Sequence, residues 1–197
     1  MKKIAIIGGG AWGTALAIAL TRSSRAHRLT LWAHSADVVE ILNARRVNEI
    51  YLPGFEFPAQ VEVTGSLEKA LAEAGTVLGV MPSAHARAIY RAMRPLVSPN
   101  SIFVSATKGL EHDSLARMSQ VIAETMRTDS STPRVAVLSG PSFARELAQG
   151  DPTAVVIASE DPAVAAEIQE EFSGFTLSAN FFNAACTSTI ASVSRSQ

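Results

Sequence analysis

The sequence predicts an α/β fold with a Rossmann-like, doubly wound and mostly parallel sheet. Short apolar segments alternate with segments of helical periodicity up to about residue 178. The first apolar segment, residues 4–7, leads into Gly8, Gly10 and Gly13, which have the spacing G-x-G-x-x-G. Good helix formers follow at 15–20, so strand, tight turn and helix occur in the order that the first βα unit of such a sheet requires.

Each glycine of this loop has its own predicted role. Gly8 allows the sharp turn out of the strand, and Gly13 lets the helix pack close to that strand. Gly10 has no Cβ atom, so a pyrophosphate can approach its backbone. The N–H groups that begin the helix then face the phosphates, and the helix dipole favours negative charge there. An ordinary glycine-rich turn is the alternative, which the flanking strand and helix disfavour.

The other elements follow from the same alternation. Strands are predicted at residues 28–32, 61–64, 76–80, 101–105, 135–138, 154–158 and 176–178. Helices are predicted at residues 36–45, 67–71, 83–93, 114–127 and 143–148, and from 162 onward. The predicted N-cap residues are Ser35, Ser66 and Asp161. In the helix 114–127 we expect Leu115 on the apolar side. Residues 47–60 are interpreted as an ordered loop, because prolines and a glycine alternate there with large apolar side chains.

The composition is that of a folded chain with one large domain. Its 197 residues are 47% apolar and 18% charged, with a net charge of −1. We expect no nucleic-acid partner and no membrane insertion, because there is no basic block and no apolar run near the ~20 residues that span a bilayer. Cys186 is the only cysteine and the four histidines lack metal-ligand spacing, so we expect no disulfide, no metal site and a cytoplasmic location.

Candidate binding residues follow the predicted strands, because ligands of open parallel sheets bind beyond the carboxyl ends of the strands. These segments are the glycine loop, 33–35, 81–83, 106–109 and 139–142. Lys108 is the one fixed cation among them; it can pair with a phosphate or polarise a carbonyl oxygen, or it is a solvated surface lysine. Ser142 can either hydrogen-bond a substrate oxygen or cap the next helix. Glu111 and Glu146 are interpreted as surface residues.

The predicted cofactor is NADP or NAD. NAD-selective domains carry an acidic residue ~20 positions after the glycines, to bind the ribose 2′-hydroxyl. Here that region holds residues 33–35, and the first acid is Asp37. No carboxylate stands there to repel a 2′-phosphate, so we expect NADPH to be accepted and leave a preference for it open. Arg28 and Arg46 are the candidate cations for that phosphate, although Arg46 is equally well explained as a solvated helix end.

Four segments of the chain resemble a known family. They are GGGAWGTALA at 8–17, NEIYLPG at 48–54, SATKGLE at 105–111 and SGPSFARE at 139–146. Together, and in this order, they are similar to bacterial-type NAD(P)-dependent glycerol-3-phosphate dehydrogenase. In that family a Rossmann-like N-terminal domain holds the cofactor, and a helical C-terminal domain supplies the main catalytic lysine. The resemblance implies hydride transfer between dihydroxyacetone phosphate and sn-glycerol 3-phosphate, which feeds phospholipid synthesis, and a small phosphate compound as substrate.

The resemblance also implies roles for individual residues. The implied cofactor-binding residues are Gly8, Gly10, Ala11, Trp12, Gly13, His34, Tyr51, Lys108 and Ala144. The implied substrate-binding residues are Lys108, Gly140 and Ser142. His34 and Tyr51 would lie near the adenosine side of the cofactor. No residue of this chain is assigned as catalytic.

The chain departs from the family pattern after residues 187–189. We therefore expect a dinucleotide-binding domain at 1–178 and an aberrant tail at 179–197, where the helical domain would begin. Arg195 falls near the expected distance of the catalytic lysine, but arginine holds its proton too firmly to exchange it. The expectation is cofactor binding without appreciable turnover, and homodimer formation or other self-association through exposed apolar surface.

Two other interpretations stay open at this stage. One is a non-catalytic NAD(P)-binding module or partner subunit. The other is a related hydride-transfer enzyme, such as a ketopantoate reductase or a 6-phosphogluconate dehydrogenase, against which the segments SATKGLE and SGPSFA argue.

Overall fold

The computed structural model describes residues 1–23, 25–129, 131–174 and the backbone of 177–183. Within these residues the strands are β1 (Lys2–Ile7), β2 (His27–Trp32), β3 (Val47–Asn48), β4 (Leu52–Glu56), β5 (Val61–Thr64), β6 (Ala74–Gly79), β7 (Ile102–Ser105), β8 (Arg134–Ser139), β9 (Thr153–Ser159) and β10 (Leu177–Asn183). The helices are α1 (Ala11–Leu20), α2 (Ala36–Arg45), α3 (Leu67–Leu71), α4 (Ser83–Met93), α5 (Met118–Met126), α6 (Ala144–Gln149) and α7 (Pro162–Phe172), with a 3₁₀ turn at Arg94–Leu96.

Eight of the described strands form one sheet in the order β10-β9-β8-β7-β6-β1-β2-β5. All neighbouring pairs are parallel except β8 and β9, which are antiparallel. The carboxyl ends of β1, β2, β5, β6, β7 and β8 therefore lie at one edge of the sheet. The predicted α/β class and mostly parallel sheet are confirmed.

Helices cover both faces of this sheet. Along β1, Ile4 and Ile6 join an apolar core with α1, α2, α6 and α7, whereas Ala5 and Ile7 join a second core with α3, α4 and α5. Successive side chains of a strand point to opposite faces, so both faces of a central strand must be apolar. The chain is therefore doubly wound, as the continuous apolar run of residues 4–7 predicts.

The predicted loop at 47–60 is wrong in part, because β3 and β4 form an antiparallel hairpin there. Pro53 and Gly54 lie inside β4. Proline has no N–H group to donate to a neighbouring strand and glycine weakens strands, so the sequence did not indicate a strand there. A two-stranded ribbon tolerates both residues, since each strand has a free edge. Phe57, just after β4, is 1% exposed and fixes the hairpin to the core.

Two further boundaries differ from prediction. The helix predicted at 114–127 begins at Met118, and Leu115 adopts φ 55° in the preceding turn with 69% exposure, so its predicted place on the apolar side is wrong. The last strand runs through Asn183, beyond the predicted end at 178. The segment 187–189, Cys186 and Arg195 lie outside the described residues.

Ion pairs fasten α7 to the edge of the sheet where β1, β6 and β8 begin. Lys2 Nζ pairs with Glu171 and lies 2.7 Å from Glu167 Oε1, and Arg134 Nη2 lies 2.8 Å from Glu167 Oε2. Thr76 Oγ1 donates to Glu171 Oε2 at 3.0 Å. The hydrogen bond from Lys2, assisted by Arg134, lowers the pKa of Glu167. Each of these carboxylates is matched by a cation, so the cluster is explained by packing of α7. No described helix has the length and apolar character needed to cross a bilayer.

Candidate dinucleotide site

Gly8 and Gly13 are required by the packing of the turn between β1 and α1. Gly8 has φ 137°, and a Cβ atom on it would lie 2.8 Å from the Val80 carbonyl. A Cβ atom on Gly13 would lie 1.9 Å from the carbonyl oxygen of Gly8. Neither position accepts a side chain without moving backbone, because real Cβ contacts do not come so close. The tight turn and close helix packing predicted for these two glycines are what the structure contains.

Gly10 differs from them, because a Cβ atom on it would meet no atom of the described residues within 4 Å, apart from its two chain neighbours. Its φ of −76° and ψ of −176° suit any residue, so the protein's own packing does not require glycine there. The space beside Gly10 opens at the N-cap of α1, where the first-turn N–H groups have no helical acceptor. Free N–H groups at a helix N-terminus favour an anion.

Lys108 lies where the segments that follow three strands meet, at the carboxyl edge of the sheet. Its ammonium group donates to the Ser142 carbonyl oxygen at 3.0 Å and lies 5.6 Å from the centre of the Trp12 ring. It thereby connects the loop after β7 with the loop after β8 and with the first turn of α1. An ammonium has three donors, so Lys108 retains donors for an anion. The positive φ of Gly109, 90°, turns the chain directly after it.

Ser142 does not cap α6, so the capping alternative is wrong. The N-cap of α6 is Phe143, and no side chain caps it. Ser142 is 4% exposed, and its hydroxyl donates to the Gly140 carbonyl oxygen at 3.3 Å. Gly140 has φ 151°, and a Cβ atom on it would lie 2.9 Å from the Ala154 carbonyl oxygen. The loop 139–142 is thus held against β9 and the tip of Lys108.

The remaining predicted residues surround the same edge. His34 is exposed directly after β2, with its ring centre 5.9 Å from that of Trp32. Tyr51 is 52% exposed at the turn between β3 and β4. Ala11 and Ala144 begin α1 and α6, two helices that pack against one another.

Asn48 is the residue at this site that the sequence reasoning missed. It is 1% exposed, and its Nδ2 donates to the Gly9 carbonyl oxygen at 2.9 Å and to Thr14 Oγ1 at 2.8 Å. Its Oδ1 accepts from the Tyr51 N–H at 3.2 Å. Asn48 lies 39 residues from Gly9, so no local spacing could have revealed these bonds.

Glu111 is not the surface residue that the sequence suggested. Arg87 on α4 holds it with two hydrogen bonds, of 2.6 Å from Nε and 2.8 Å from Nη2, and also pairs with Glu124 at 2.9 Å. Ser114 Oγ donates to the same carboxylate at 2.5 Å. The hydrogen bonds from Arg87 and Ser114 lower the pKa of Glu111 to about 2. The two hydrogen bonds between Arg87 and Glu111 anchor the loop 106–111, which contains Lys108, to α4.

We expect the Glu111→Gln variant to lose stability relative to the unmodified chain at pH 6, with the difference shrinking as the pH falls from about 4.5 to about 2. A carboxylate with a lowered pKa stabilises the folded state above its unfolded pKa, and this contribution disappears as the folded group becomes protonated. Urea midpoints of both proteins at pH 6 and pH 3 measure it. Glu146→Gln, on an exposed residue, is the matched control. A difference that grows toward low pH would contradict this assignment.

The cations suggested for a 2′-phosphate have other positions. Arg28 lies at the start of β2, at the opposite edge of the sheet, and pairs with Glu73 at 3.3 Å. Its suggested role is therefore wrong. Arg46 ends α2, and its Nη1 donates to the Val61 carbonyl oxygen at 2.9 Å, so it is not a solvated helix end. In the part of the chain that the structure describes, no cluster of three His, Cys, Asp or Glu side chains could hold a metal ion.

The sheet order, the glycine turn and the loops at its carboxyl edge define this chain as a Rossmann-like α/β domain. The family model described as "NAD-dependent glycerol-3-phosphate dehydrogenase N-terminus" matches residues 3–165. The chain belongs to that family, as its four sequence segments implied.

Similar proteins agree with this assignment. The glycerol-3-phosphate dehydrogenase [NAD(P)+] of Koribacter versatilis is 49% identical over 173 residues, which cover 88% of this chain and 51% of the relative. That of Acidobacterium capsulatum is 47% identical over 180 residues, covering 90% and 53%. The crystal structure of glycerol-3-phosphate dehydrogenase from Coxiella burnetii superposes with a TM-score of 0.83 at 32% identity, covering 92% of this chain and 54% of that one. The chain thus spans about half the length of the curated relatives it matches.

Proposed function

We propose that this chain is the cofactor-binding part of a glycerol-3-phosphate dehydrogenase [NAD(P)+] and binds NADP or NAD at the carboxyl edge of its sheet. The observation that carries the proposal is the open space beside Gly10, between two glycines whose packing admits no side chain. A glycine without a packing reason, at the N-terminus of a helix, is explained by a ligand that approaches the backbone. When bound, the cofactor would supply the hydride for a carbonyl substrate or accept one from an alcohol.

The residues around this space suit a dinucleotide. The N–H groups of Gly10, Ala11 and Trp12 would receive the diphosphate, and Gly8 and Gly13 would keep the turn tight enough to aim them. His34 and Tyr51 offer exposed rings where an adenosine could lie, and Ala144 has a small side chain at the start of α6. No carboxylate follows β2 until Asp37, so a 2′-phosphate meets no repulsion at residues 33–35. We therefore propose that NADPH is accepted as well as NADH.

A phosphate substrate would bind on the side of Lys108, with Gly140 and Ser142. The proximity of the Lys108 ammonium to the Ser142 carbonyl, 3.0 Å, supports this grouping. Reduction of a ketone also needs a group that delivers a proton to the developing alkoxide. Among the described lysines, only Lys108 lies at this edge, and an anion would occupy it. We therefore propose cofactor binding with little turnover by this chain alone, because general acid–base help is typically worth ~10²–10⁴ in rate.

Fluorescence titration tests cofactor binding, because Trp12 lies in the first turn of α1 beside Gly10, and a rate measurement tests turnover. We expect saturable binding of both NADH and NADPH. Reduction of dihydroxyacetone phosphate by the same preparation is expected to fall ~10²-fold or more below that of a complete relative. Failure of both cofactors to bind would overturn the proposed function. A rate like that of a complete relative would leave the cofactor site standing and overturn the low-turnover proposal.

Two coarser proposals accompany it. Self-association is supported by large apolar side chains that are about half exposed or more, namely Ile50, Tyr51, Leu110, Leu115 and Phe143. A cytoplasmic location stays a prediction from the sequence.

A further inference from the structure

Asn48 is a buried polar side chain with its hydrogen bonds directed at the glycine turn, and the proposed function does not yet use it. Its amide has a fixed orientation. The Oδ1 atom accepts from the Tyr51 N–H at 3.2 Å, so Nδ2 must face the Gly9 carbonyl and the Thr14 hydroxyl. An amide buried to 1% exposure with donors and acceptor both engaged holds its partners firmly, because losing any one bond leaves a buried polar group unpaired.

The bond to Gly9 has a consequence for Gly10. The Gly9 carbonyl and the Gly10 N–H belong to one planar peptide unit, in which they point in opposite directions. When Asn48 draws the Gly9 carbonyl oxygen inward at 2.9 Å, the Gly10 N–H must point away from Asn48. Glycines on both sides of this peptide would otherwise leave it free to rotate, because glycine tolerates a wide range of φ and ψ.

The same side chain fixes the hairpin of β3 and β4 beside the turn. The bond from the Tyr51 N–H ties the tip of the hairpin to Asn48, and the bond to Thr14 Oγ1, 2.8 Å, ties it to α1. Arg145 on α6 lies over Phe55 of β4, with its guanidinium carbon 5.4 Å from the ring centre, so α6 also contacts the hairpin. The position of Tyr51 and the orientation of the Gly9–Gly10 peptide are therefore set by one amide.

We propose that Asn48 is a positioning residue for the dinucleotide: it sets the Gly9–Gly10 peptide so that the Gly10 N–H faces the diphosphate, and it holds the Tyr51 turn beside the same ligand. This inference rests on the proposed function. It assigns Asn48 no contact with the cofactor and no part in hydride transfer.

The test compares Asn48→Asp, which keeps the shape but removes the donors to Gly9 and Thr14 and adds a negative charge, with Thr14→Val, which adds no charge, and with Ser101→Ala. Ser101 is 1% exposed and donates to the Ala74 carbonyl oxygen at 2.8 Å, at the opposite edge of the sheet, so Ser101→Ala removes one buried bond away from the proposed site. We expect the Kd for NADH and NADPH to rise about tenfold in Asn48→Asp. In Ser101→Ala the Kd should stay within about twofold of the unmodified chain.

A spectroscopic signature separates positioning from general destabilisation. In the unmodified chain the ¹H–¹⁵N resonance of Gly10 should move when NADH is added. In Asn48→Asp it should start from a different position without cofactor and respond less to NADH, while resonances of β6 and β7 stay in place. Thr14→Val, which removes one of the two acceptors, serves if Asn48→Asp does not fold, and should displace the Gly10 resonance and raise the Kd about threefold.

Unchanged Kd values and an unchanged Gly10 resonance in the folded variant would overturn the role of Asn48 while leaving the proposed function intact. An unmodified chain that binds neither cofactor would overturn the proposed function, and this inference with it.

Discussion

Replacing Gly13 by alanine is expected to destabilise the chain by about 2 kcal/mol. The added Cβ atom would lie 1.9 Å from the Gly8 carbonyl oxygen, which belongs to the backbone of the turn and cannot rotate away. Overpacking of this kind costs about 1–3 kcal/mol or more, and the better helix propensity of alanine returns only about 1 kcal/mol. The cost of the clash exceeds the gain in helix propensity, because either α1 or the end of β1 must move.

Urea unfolding measures this effect, and cofactor titration accompanies it. We expect a lower midpoint at an unchanged slope, together with weaker binding of NADH and NADPH, because a displaced α1 no longer aims its first N–H groups at the open space. A Gly13→Ala chain as stable as the unmodified one would show that α1 does not pack against Gly8 as described.

Replacing Gly10 by alanine is expected to weaken cofactor binding at least about tenfold, or about 1.4 kcal/mol, with little change in stability. A Cβ atom at this position meets no atom of the described residues within 4 Å apart from its chain neighbours, and the backbone angles suit alanine. The gain of about 0.4–1 kcal/mol through the unfolded chain is offset by the poorer preference of alanine for an N-cap, so stability should change by less than about 1 kcal/mol. The methyl group would instead occupy the space that the diphosphate needs.

Titration of Gly10→Ala beside the unmodified chain, with unfolding curves for both, measures the two effects together. Gly10→Ala and Gly13→Ala each add one methyl group. At Gly13 this group would meet the backbone of the turn, whereas at Gly10 it would enter open space. Unchanged affinity in a Gly10→Ala chain would mean that the ligand binds elsewhere. A large loss of stability would mean that the space beside Gly10 is filled by the protein itself.

The sequence predicted those features of the candidate site that depend on neighbours in the chain. Gly8 and Gly13 could be recognised because their spacing, the strand before them and the helix after them are local features. Lys108 could be singled out because it follows a buried strand, and parallel strands bring their carboxyl ends to one edge. Lys108 contacts Ser142, which is 34 residues away. The rule for parallel strands places their two loops at the same edge of the sheet, but it does not predict which atoms meet there.

The parts that were missed depend on contacts between distant segments. The hairpin of β3 and β4 contains Pro53 and Gly54, which normally interrupt strands, so only the observed pairing of the two strands reveals it. Glu111 looks like any surface acid until Arg87 on α4 reaches it across 24 residues. Asn48 likewise has no local partner apart from the Tyr51 N–H. The local sequence pattern does not reveal such pairs, because the fold determines which distant side chains meet.

The most direct measurement is the structure of this chain crystallised with NADPH, and with NADH in parallel. We expect diphosphate oxygens about 3 Å from the backbone nitrogens at Gly10 and Ala11, with the Lys108 ammonium facing the nicotinamide end of the same cleft. A crystal grown at saturating cofactor in which the cofactor lies away from the turn between β1 and α1, or in which nothing is bound at that turn, would contradict the proposed binding site.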